Sequence, residues 1–444
     1  MSSPEYLEPL YTADEMREAE RGHDVDELMA RAGRAVADEV LRRYPEARRV
    51  TAVCGRGANG GDGRIALQAL REAGLDAEET DDPTGADVVI DALLGTGFHG
   101  ELRPDAATLV ARMNEVAAPL VAVDLPSGVD ASTGEVAGGA VAAEVTVTMH
   151  APKVGLAVAP GRFHAGEVVV ADIGLDRGRV TTNAAVTRDI LELVPRRRPS
   201  DNKYTAGSVL IVGGARGLTG AACLAAEAAF RADAGYVAVA APEESLPVLE
   251  TRLLEAVKRP LDAVFDATQR AGALAIGPGL GAGRTDLVRR LLAETELPAV
   301  VDADGLRELE PFERSAPTVL TPHEGELARL LGEDSTWVRA HRLAAVRRAV
   351  DKFRSVVLLK GADTLVAQPD SGVLVVGLGP PSLATAGTGD VLTGIVAAFL
   401  AKGMDAITAA AAAAAAQQTA ASLVPHAAGL VAGDVVAALP RALG

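Results

Sequence analysis

Three glycine-rich segments in the first half of the chain could bind an anion. They run over residues 54–63 (CGRGANGGDG), 91–97 (DALLGTG) and 124–130 (DLPSGVD), and each begins where an apolar stretch ends. Glycines let the backbone approach a ligand closely, so that successive N–H groups can donate hydrogen bonds to a phosphate. One such segment would be weak evidence, but three of them indicate a binding site.

The same segments carry oxygen-bearing side chains. Asn59, Asp91 and Ser127 offer amide, carboxylate and hydroxyl oxygens, which suit a small hard cation better than zinc. Asp124 opens the third segment and is our candidate for a general acid–base group, although a ligand-binding or capping role fits its position equally well. Each residue alone would be interpreted as a turn or cap residue. Together they favour a site for a cation and an anionic ligand.

The strongest signal in the second half is the segment 383–394 (LATAGTGDVLTG), in which a turn of small residues opens a long apolar helix. The acidic residue Asp390 falls in the first turn of this helix. Unpaired N–H groups at a helix start form an anion hole that suits a transferring phosphoryl group. Asp390 could then accept the proton of an attacking hydroxyl. In isolation it would be interpreted as a capping residue.

Four more segments of the second half follow apolar stretches: residues 277–281 (GPGLG), 302–304 (DAD), 321–326 (TPHEGE) and 360–364 (KGADT). The last could bind nucleotide phosphates through its lysine. A lone His323 would more often be a hydrogen-bonded loop residue than a functional one. Beside the other segments, we expect it to contact a ligand.

These segments need a scaffold that brings them together. Apolar stretches alternate with helical segments throughout the chain, at residues 50–54, 88–93, 120–123, 145–149, 168–173, 208–212, 236–240, 273–276, 299–301, 319–320 and 356–359. Such alternation is typical of parallel sheets covered by helices on both faces. Ligands bind at the carboxyl ends of the strands of open α/β sheets, which is where the polar segments fall.

The alternation restarts after residues 195–200 (PRRRPS), a short stretch without apolar side chains that we interpret as a linker. We therefore predict an α/β protein of two domains, residues 1–195 and 196–444. Each is expected to be a mostly parallel sheet layered with helices.

Composition excludes several classes of function. The net charge of −17 and the aromatic fraction of 3% argue against a nucleic-acid or anionic-membrane binder. Two cysteines make no disulfide framework, and the acidic N-terminus does not resemble a signal peptide, so we expect a cytoplasmic protein. The apolar stretch 391–424 is interrupted by 402–405 (KGMD), which predicts two buried helices rather than a membrane span.

The first half resembles the NAD(P)H-hydrate epimerase family, whose pattern is a strand followed by NNGGDG, DxLxGTG, DxPSG and KxGL segments, the last being residues 153–156 here. The resemblance implies a Rossmann-like domain in which Asn59, Asp91 and Ser127 hold K⁺. Ala58 departs from the pattern, because the family usually has asparagine there. The hydrated coenzyme would contact Ala58, Asn59, Gly60, Gly61, Asp62, Gly95, Thr96, Gly97, Phe98, His99, Gly100, Glu101 and Asp124.

The second half resembles the ribokinase-like superfamily through its GTGD turn, and more closely the ADP/ATP-dependent NAD(P)H-hydrate dehydratases. The resemblance implies that Mg²⁺ neutralises the nucleotide phosphates and that Asp390 is catalytic. It places Ala221, Gly279, His323 and Asp390 at the hydrate. It places Lys360, Gly361, Ala362, Asp363, Thr364 and Gly389 at the nucleotide.

Both resemblances together imply an isomerase fused to a lyase. Such an enzyme epimerises R- and S-NAD(P)H hydrate and dehydrates the S form to NAD(P)H, with ADP converted to AMP and phosphate. We expect small-molecule substrates and a homo-oligomer. Two alternatives stay open at this point. The second half could be a kinase of a small alcohol such as a sugar or pyrimidine, and the first half could be a non-catalytic binding module.

Overall fold

The computed structural model describes residues 4–176, 181–377, 379–426 and 428–444. The chain divides into two compact units. The first comprises chiefly Pro9–Ala184, and the second comprises chiefly Glu5–Glu8, Ala185–Val338 and Leu343–Gly444. Among the described helices, none is both long and apolar enough to cross a membrane.

The first unit contains a six-stranded sheet of order β3-β2-β4-β5-β6-β7 in which all neighbours are parallel. Successive side chains of a strand point to opposite faces, so Ala52 packs with helices α2 and α3 while Val53 packs with α4. The elements of this half of the chain are β1 (Leu7–Leu10), α1 (Ala13–Glu20), α2 (Val25–Arg43), β2 (Arg49–Cys54), α3 (Ala58–Glu72), β3 (Asp76–Glu79), β4 (Val88–Ala92), α4 (Pro104–Glu115), β5 (Leu120–Val123), β6 (Val145–Met149), α5 (Val154–Ala157), a 3₁₀ helix (Gly161–His164), β7 (Glu167–Ala171) and β8 (Asn183–Val186).

The second unit contains an eleven-stranded sheet of order β1-β8-β17-β16-β15-β14-β13-β12-β9-β10-β11, parallel from β15 to β11 and antiparallel at β15-β16-β17. Its remaining elements are a 3₁₀ helix (Arg188–Leu193), β9 (Ser208–Val212), α6 (Thr219–Arg231), β10 (Tyr236–Ala241), α7 (Leu246–Arg252), β11 (Val257–Pro260), α8 (Val264–Thr268), β12 (Ala273–Ile276), α9 (Thr285–Glu294), β13 (Ala299–Val301), a 3₁₀ helix (Ala303–Leu306), β14 (Thr318–Leu320), α10 (Glu324–Leu331), α11 (Ser335–Ala340), α12 (Arg342–Phe353), β15 (Val356–Leu359), β16 (Thr364–Ala367), β17 (Val373–Val376), α13 (Thr388–Ala401), α14 (Ala406–Ser422) and α15 (Ala432–Leu443).

The predicted α/β class with two mostly parallel sheets is confirmed. Every apolar stretch that predicted a strand contains one, with ends that differ by at most two residues. Six strands were not predicted: β1, β3, β8, β11, β16 and β17. Three of them, β1 (LEPL), β3 (DAEE) and β11 (VKRP), lie at sheet edges, where one side of the strand has no neighbouring strand. Polar side chains replace the apolar pattern most clearly in β3 and β11.

The glycine-rich segment after β2 forms the start of a helix rather than a separate loop. Helix α3 already begins at Ala58, so the segment forms its first turns. A Cβ on Gly60 would lie 1.9 Å from the Gly55 carbonyl oxygen, and a Cβ on Gly63 would lie 2.4 Å from the Ala92 side chain. Glycines are therefore needed because the helix start packs directly against the ends of β2 and β4.

The arginine-rich segment at residues 195–200 predicts a domain boundary at 195/196, but the main part of the second unit already begins at Ala185. Val186, Ile190, Leu191 and Val194 are buried in the main core of that unit. The short basic stretch is thus preceded by residues that this core requires. The same core contains the alanine tract at 409–416, which is fully buried in α14 and explains the low-complexity sequence by close packing.

Candidate functional sites

A cavity of about 690 Å³ lies in the first unit, at the carboxyl ends of β2, β4 and β5. The segment after β4 and the first turn of α3 form its polar walls, and Asp124, which directly follows β5, also lines it. Helices α1 and α2 contribute the apolar side chains Met16, Val25, Leu28, Met29 and Ala32. A partly apolar cleft with a few convergent polar groups is typical of a small-molecule site.

The three predicted cation ligands lie around the backbone of Leu94. The Asn59 Nδ2 donates to the Leu94 carbonyl oxygen at 2.9 Å, and the Leu94 N–H donates to Ser127 Oγ at 2.8 Å. Ser127 in turn donates from Oγ to Asp91 Oδ1 at 2.6 Å and from its N–H to Asp91 Oδ2 at 2.7 Å. The fold therefore brings all three residues into one hydrogen-bonded cluster.

This cluster suits a cation. Asp91 is fully buried, and burial raises the pKa of its carboxyl to about 6 although hydrogen bonds from Ser127 and Leu93 oppose the rise. Among the described residues, no basic side chain contributes to that shift. A cation beside Asp91 would supply the missing positive charge, and the available oxygens are those that K⁺ and similar hard ions bind.

Asp124 forms an ion pair in the cavity wall. Its Oδ1 lies 2.5 Å from the Nζ of Lys153, which is completely buried. Lys153 also donates to Thr148 Oγ1 at 3.0 Å and to the Met149 carbonyl oxygen at 2.7 Å. The φ angle of Asp124 is +65°, a left-handed conformation that Asp tolerates better than most residues. These contacts fix the carboxylate at the end of β5.

Two further carboxyl groups share the cavity with Asp124. Burial, followed by the negative charges of Asp124 and Glu20, raises the pKa of Asp62 to about 8. Burial and the charge of Asp124 also raise the pKa of Glu20 above its ordinary value. The cavity thus holds carboxyl groups in two kinds of environment, one with a lysine partner and one without.

Most of the residues predicted to bind the hydrated coenzyme line this cavity, namely Ala58, Asn59, Asp62, Gly95, Thr96, Gly97, Phe98, His99, Glu101 and Asp124. The glycines Gly60, Gly61 and Gly100 are not among its lining residues. Gly60 packs against Gly55, and Gly61 packs against Met29. Gly60 and Gly61 therefore let α3 approach its neighbours.

Sequence reasoning did not select Glu20, Arg56 and Arg103, which also line the cavity. Arg56 stands inside the first glycine-rich segment, so a search of that segment for phosphate-binding cations could have found it. Glu20 ends α1 and carries no local signal, because only the packing of α1 brings it to the cavity.

The second unit carries a separate site at the start of α13. Gly387 precedes this helix with a φ of +87°, and Asp390 lies in its first turn, as the GTGD segment predicted. A Cβ on Gly389 would lie 3.3 Å from Lys360 Nζ and 3.8 Å from Asp302 Oδ2. The helix start, the predicted nucleotide lysine and an acidic residue after β13 therefore meet.

Asp302 links the elements of this site. It is buried, and its Oδ1 accepts from Lys360 Nζ at 2.7 Å while its Oδ2 accepts from Thr393 Oγ1 at 2.7 Å. Lys360 Nζ also lies 3.9 Å from Glu326 Oε2. The sequence indicated the DAD and TPHEGE segments but assigned no role to Asp302, Glu326 or Thr393.

The pKa values of Lys360 and Asp390 both lie above their ordinary values. Burial opposes ionisation of Lys360, yet Asp302 and Glu326 raise its pKa above the ordinary value. Burial, together with the negative charge of Asp302, raises the pKa of Asp390 to about 6. A carboxyl group with a pKa near neutrality at a helix start is suited to taking up a proton during a reaction.

His323 has a structural role that the sequence did not identify. Its Nδ1 accepts hydrogen bonds from the N–H groups of Gly325 and Glu326 at the start of α10, at 3.0 and 3.4 Å. Glu326 returns a bond by accepting from the His323 N–H at 2.8 Å. This capping box orients the ring while leaving it exposed, so that a contact with a ligand is still possible.

The other predicted residues lie on both sides of this centre. Gly279 lies against Ala221, because a Cβ on Gly279 would be 3.2 Å from the Ala221 side chain. Residues 361–363 form the turn between β15 and β16, where Gly361 and Ala362 are exposed and Asp363 is buried. Thr364 begins β16, and its hydroxyl lies 3.5 Å from Gln418 Nε2 of α14.

Comparisons with known proteins agree with this division. A family model described as NAD(P)H-hydrate dehydratase matches residues 209–441, and a model described as YjeF-related protein N-terminus matches residues 25–79 and 75–155. The bifunctional NAD(P)H-hydrate repair enzyme of Moorella thermoacetica is 35% identical over 94% of this chain and 92% of its own length. That of Escherichia coli is 32% identical over 97% of this chain and 93% of its own length.

Solved structures support the fold of the second half. The ADP/ATP-dependent NAD(P)H-hydrate dehydratase of Bacillus subtilis, co-crystallised with ATP and Mg²⁺, is 28% identical, with a TM-score of 0.54 over 58% of this chain and 96% of that chain. A ribokinase-like superfamily protein of Enterococcus faecalis is 25% identical, with a TM-score of 0.53 over 60% of this chain and 96% of that chain. Since relatives of this identity align over nearly their whole length, the chain belongs to the family of bifunctional NAD(P)H-hydrate repair enzymes.

Proposed function

We propose that the first unit epimerises NAD(P)H hydrate and that the second unit dehydrates its S form to NAD(P)H, with ADP converted to AMP and phosphate. The observation that carries this proposal is the presence of two chemically different sites. One is a cavity lined by carboxyl groups beside an oxygen cluster. The other is a helix start at which Gly389, Lys360 and Asp302 converge.

Epimerisation needs only a bound substrate and proton transfer. The hydrate carries a hydroxyl on the carbon beside the ring nitrogen, so it can lose that hydroxyl through an iminium ion and regain it on either face. Asp124 is suited to a catalytic role because it lines the cavity with its Oδ2 unused by Lys153. Arg56 and Arg103 lie in the same cavity and would attract the coenzyme phosphates.

For the cation we propose K⁺ at Asn59, Asp91 and Ser127. The support is the buried carboxylate of Asp91, which has hydrogen-bond donors but no basic partner among the described residues. Bound there, a monovalent cation would supply positive charge that holds the segments after β4 and β5 together around Leu94.

Dehydration requires the hydroxyl to become a better leaving group. Asp390 takes the proton of the hydrate hydroxyl as the hydroxyl oxygen attacks the terminal phosphate of ADP. The ring nitrogen then expels phosphate, and loss of a ring proton restores the dihydropyridine. Lys360 and the N–H groups at the start of α13 hold the transferring phosphoryl group.

Mg²⁺ would bind chiefly through the nucleotide in this scheme. Within the described residues, no group of three or more His, Cys, Asp or Glu side chains is arranged to hold a metal ion. Mg²⁺ commonly binds through one or two carboxylates plus substrate phosphates. Asp302 lies beside Gly389, and Asp390 lies in the first turn of the same helix, so both carboxylates are available at the proposed phosphate position. When bound, the ion would neutralise negative charge on the nucleotide phosphates.

The decisive experiment incubates the intact protein with separated R and S epimers of hydrated NADH, with Mg²⁺ and either ADP or ATP. We expect recovery of dihydropyridine absorbance from both epimers and one AMP released per NADH formed when ADP is the nucleotide. A stable phosphorylated product instead would indicate a small-alcohol kinase. A homo-oligomeric state and a cytoplasmic location remain predictions, which sedimentation and cell fractionation test.

A further inference from the structure

We infer that Asp62, rather than Asp124, is the acid that protonates the substrate hydroxyl as it leaves in the first unit. Asp124 then acts as a fixed negative charge in the same cavity. This inference rests on the proposed epimerase function and assigns its two proton-transfer roles. It changes the expectation drawn from sequence, in which Asp124 was the proton shuttle and Asp62 only bound the ligand.

Asp124 is one partner of a buried ion pair. Lys153 Nζ has three protons, and each is directed at an oxygen: Asp124 Oδ1 at 2.5 Å, Thr148 Oγ1 at 3.0 Å and the Met149 carbonyl oxygen at 2.7 Å. Thr148 Oγ1 and the Met149 N–H also donate to the same Oδ1, at 3.2 and 3.3 Å. Protonating Asp124 would leave a completely buried ammonium group without its counter-ion, which is costly.

Asp62 lies in the opposite kind of environment. Within the part of the chain that the structure describes, its carboxyl has no ion-pair partner, and the charges that act on it are the negative ones of Asp124 and Glu20. The remaining charged groups of the cavity, Arg56, His99, Glu101 and Arg103, do not contribute to its shift. From α2 the cavity receives only apolar side chains. The pKa of Asp62 is accordingly raised to about 8, so it is mostly protonated at neutral pH.

Two carboxyl groups in one cavity, one paired with a lysine and one without a cationic partner, form a recognised arrangement for different roles in proton transfer. The acid form of Asp62 gives its proton to the hydroxyl as the carbon–oxygen bond breaks. The products of this step are water, the planar iminium ion and the Asp62 carboxylate. Asp124 lies in the same cavity as a negative charge that stabilises the iminium cation.

The reverse step completes the exchange without any further reagent. Water adds to the other face of the iminium carbon, and its surplus proton passes to a carboxylate of the cavity, which returns Asp62 to its acid form. One proton and one water molecule are released and taken up again, so atoms and charges balance over the cycle.

The test measures epimerisation alone, by omitting nucleotide so that no dehydration follows. Intact wild-type protein and the variants Asp62→Asn and Asp62→Glu convert pure S epimer to R, with the uncatalysed rate subtracted at every pH between 6 and 9.5. Because the acid form of Asp62 is required, the wild-type kcat should be highest below pH 8 and fall as pH rises through about 8. A substitution of exposed Asp81, Asp81→Asn, is the matched control.

For Asp62→Asn we expect kcat to fall by about 10²–10⁴-fold, with KM changed less than about threefold and with the fall above pH 8 abolished. Asp62→Glu should recover part of the rate together with the fall at high pH. Because Asp62 and the dehydration site lie in different units, normal dehydration of S epimer by Asp62→Asn would show only that the second unit is intact. Recovery of rate in Asp62→Glu and an unchanged near-ultraviolet circular dichroism spectrum of Asp62→Asn would show that the first unit is folded.

Wild-type kcat in Asp62→Asn, or a slow variant that keeps the wild-type pH profile, would overturn this inference and leave the proposed epimerase function standing. Absence of epimerisation by the wild-type protein would refute the proposed function itself, and the inference with it.

Discussion

Lys360 Nζ lies 2.7 Å from Asp302 Oδ1, and this ion pair connects the turn after β15 to the segment after β13. The lysine would otherwise be free to move on its flexible stem, but the pair keeps its Nζ beside Gly389, where the start of α13 presents N–H groups. Both residues are positioned by strands that are neighbours of β14 in the parallel sheet. The anion-binding centre is therefore pre-organised before nucleotide arrives.

Asp390→Asn should abolish nucleotide-dependent dehydration while epimerisation persists. Asp390 lies in the first turn of α13, in a different unit from Asn59 and Asp124. Loss of a positioned base typically costs about 10²–10⁴-fold in rate. Dehydration of S epimer and nucleotide-free epimerisation are measured on the same preparation. Near-normal dehydration by this variant would remove Asp390 from the mechanism.

The pH dependence of dehydration should report Asp390. A general base acts in its charged form, so the rate should be low in acid and rise as pH increases through about 6, the value to which burial and the charge of Asp302 raise the Asp390 pKa. Asp302→Asn removes that neighbouring charge and should move the rise to lower pH. It also releases Lys360, so KM for ADP should increase. An unchanged profile in Asp302→Asn would contradict the coupling between the two carboxyl groups.

A monovalent cation should be required for epimerisation but not for binding of nucleotide in the second unit. Replacing K⁺ by tetramethylammonium, which is too large for the cluster around Leu94, should slow epimerisation. Asp91→Asn should lower the rate and weaken the response to K⁺, because it removes the buried charge that the cation balances. Equal rates in both salts for the wild-type protein would exclude the cation site.

Asp62→Asn should stabilise the first unit at high pH even without substrate. The pKa of Asp62 is about 8 in the folded protein and lies near its ordinary value in the unfolded chain. Between about pH 4 and pH 8 the unfolded chain therefore loses this proton while the folded protein keeps it, so the free energy of unfolding of the wild-type protein falls as pH rises. Relative to wild type, we expect a gain on the order of 1–3 kcal/mol at pH 9 and little gain near pH 4. Calorimetric unfolding at both pH values measures this difference. A difference that does not grow with pH would contradict the burial of an unpaired carboxyl.

Asp124→Asn in the intact chain should give a two-phase time course with mixed epimers and ADP. The preferred epimer is consumed at the wild-type rate, and the remainder then follows only as fast as it racemises spontaneously. The intact chain is the right material because Val186, Ile190, Leu191 and Val194, which precede the arginine-rich segment, are buried in the core of the second unit. A single phase at the wild-type rate would show either that Asp124 is not needed for epimerisation or that the second unit accepts both epimers, and nucleotide-free epimerisation by the same variant separates these two results.

Local sequence determined a large part of this protein. Stretches such as Leu120–Val123 and Ala273–Ile276 are continuously apolar because both faces of their sheets are covered, and that pattern is legible without any structure. The helix that begins at Thr388 with Asp390 in its first turn was likewise predicted, because small residues before an apolar run are a local signal. The candidate cation ligands Asn59, Asp91 and Ser127 were found for the same reason: each belongs to a glycine-rich segment at a strand end.

Tertiary structure alone decided which side chains meet and in what charge state. Asp302 reaches Lys360 and Thr393 only because β13 and β15 flank β14 and α13 begins above them, a long-range arrangement that no local pattern encodes. The difference between Asp62 and Asp124 has the same origin. Both are aspartates beside glycine-rich segments, but the fold gives one a buried lysine and the other only burial and negative neighbours. Protonation depends on that three-dimensional environment rather than on residue type, so the assignment of acid and anion had to come from the structure.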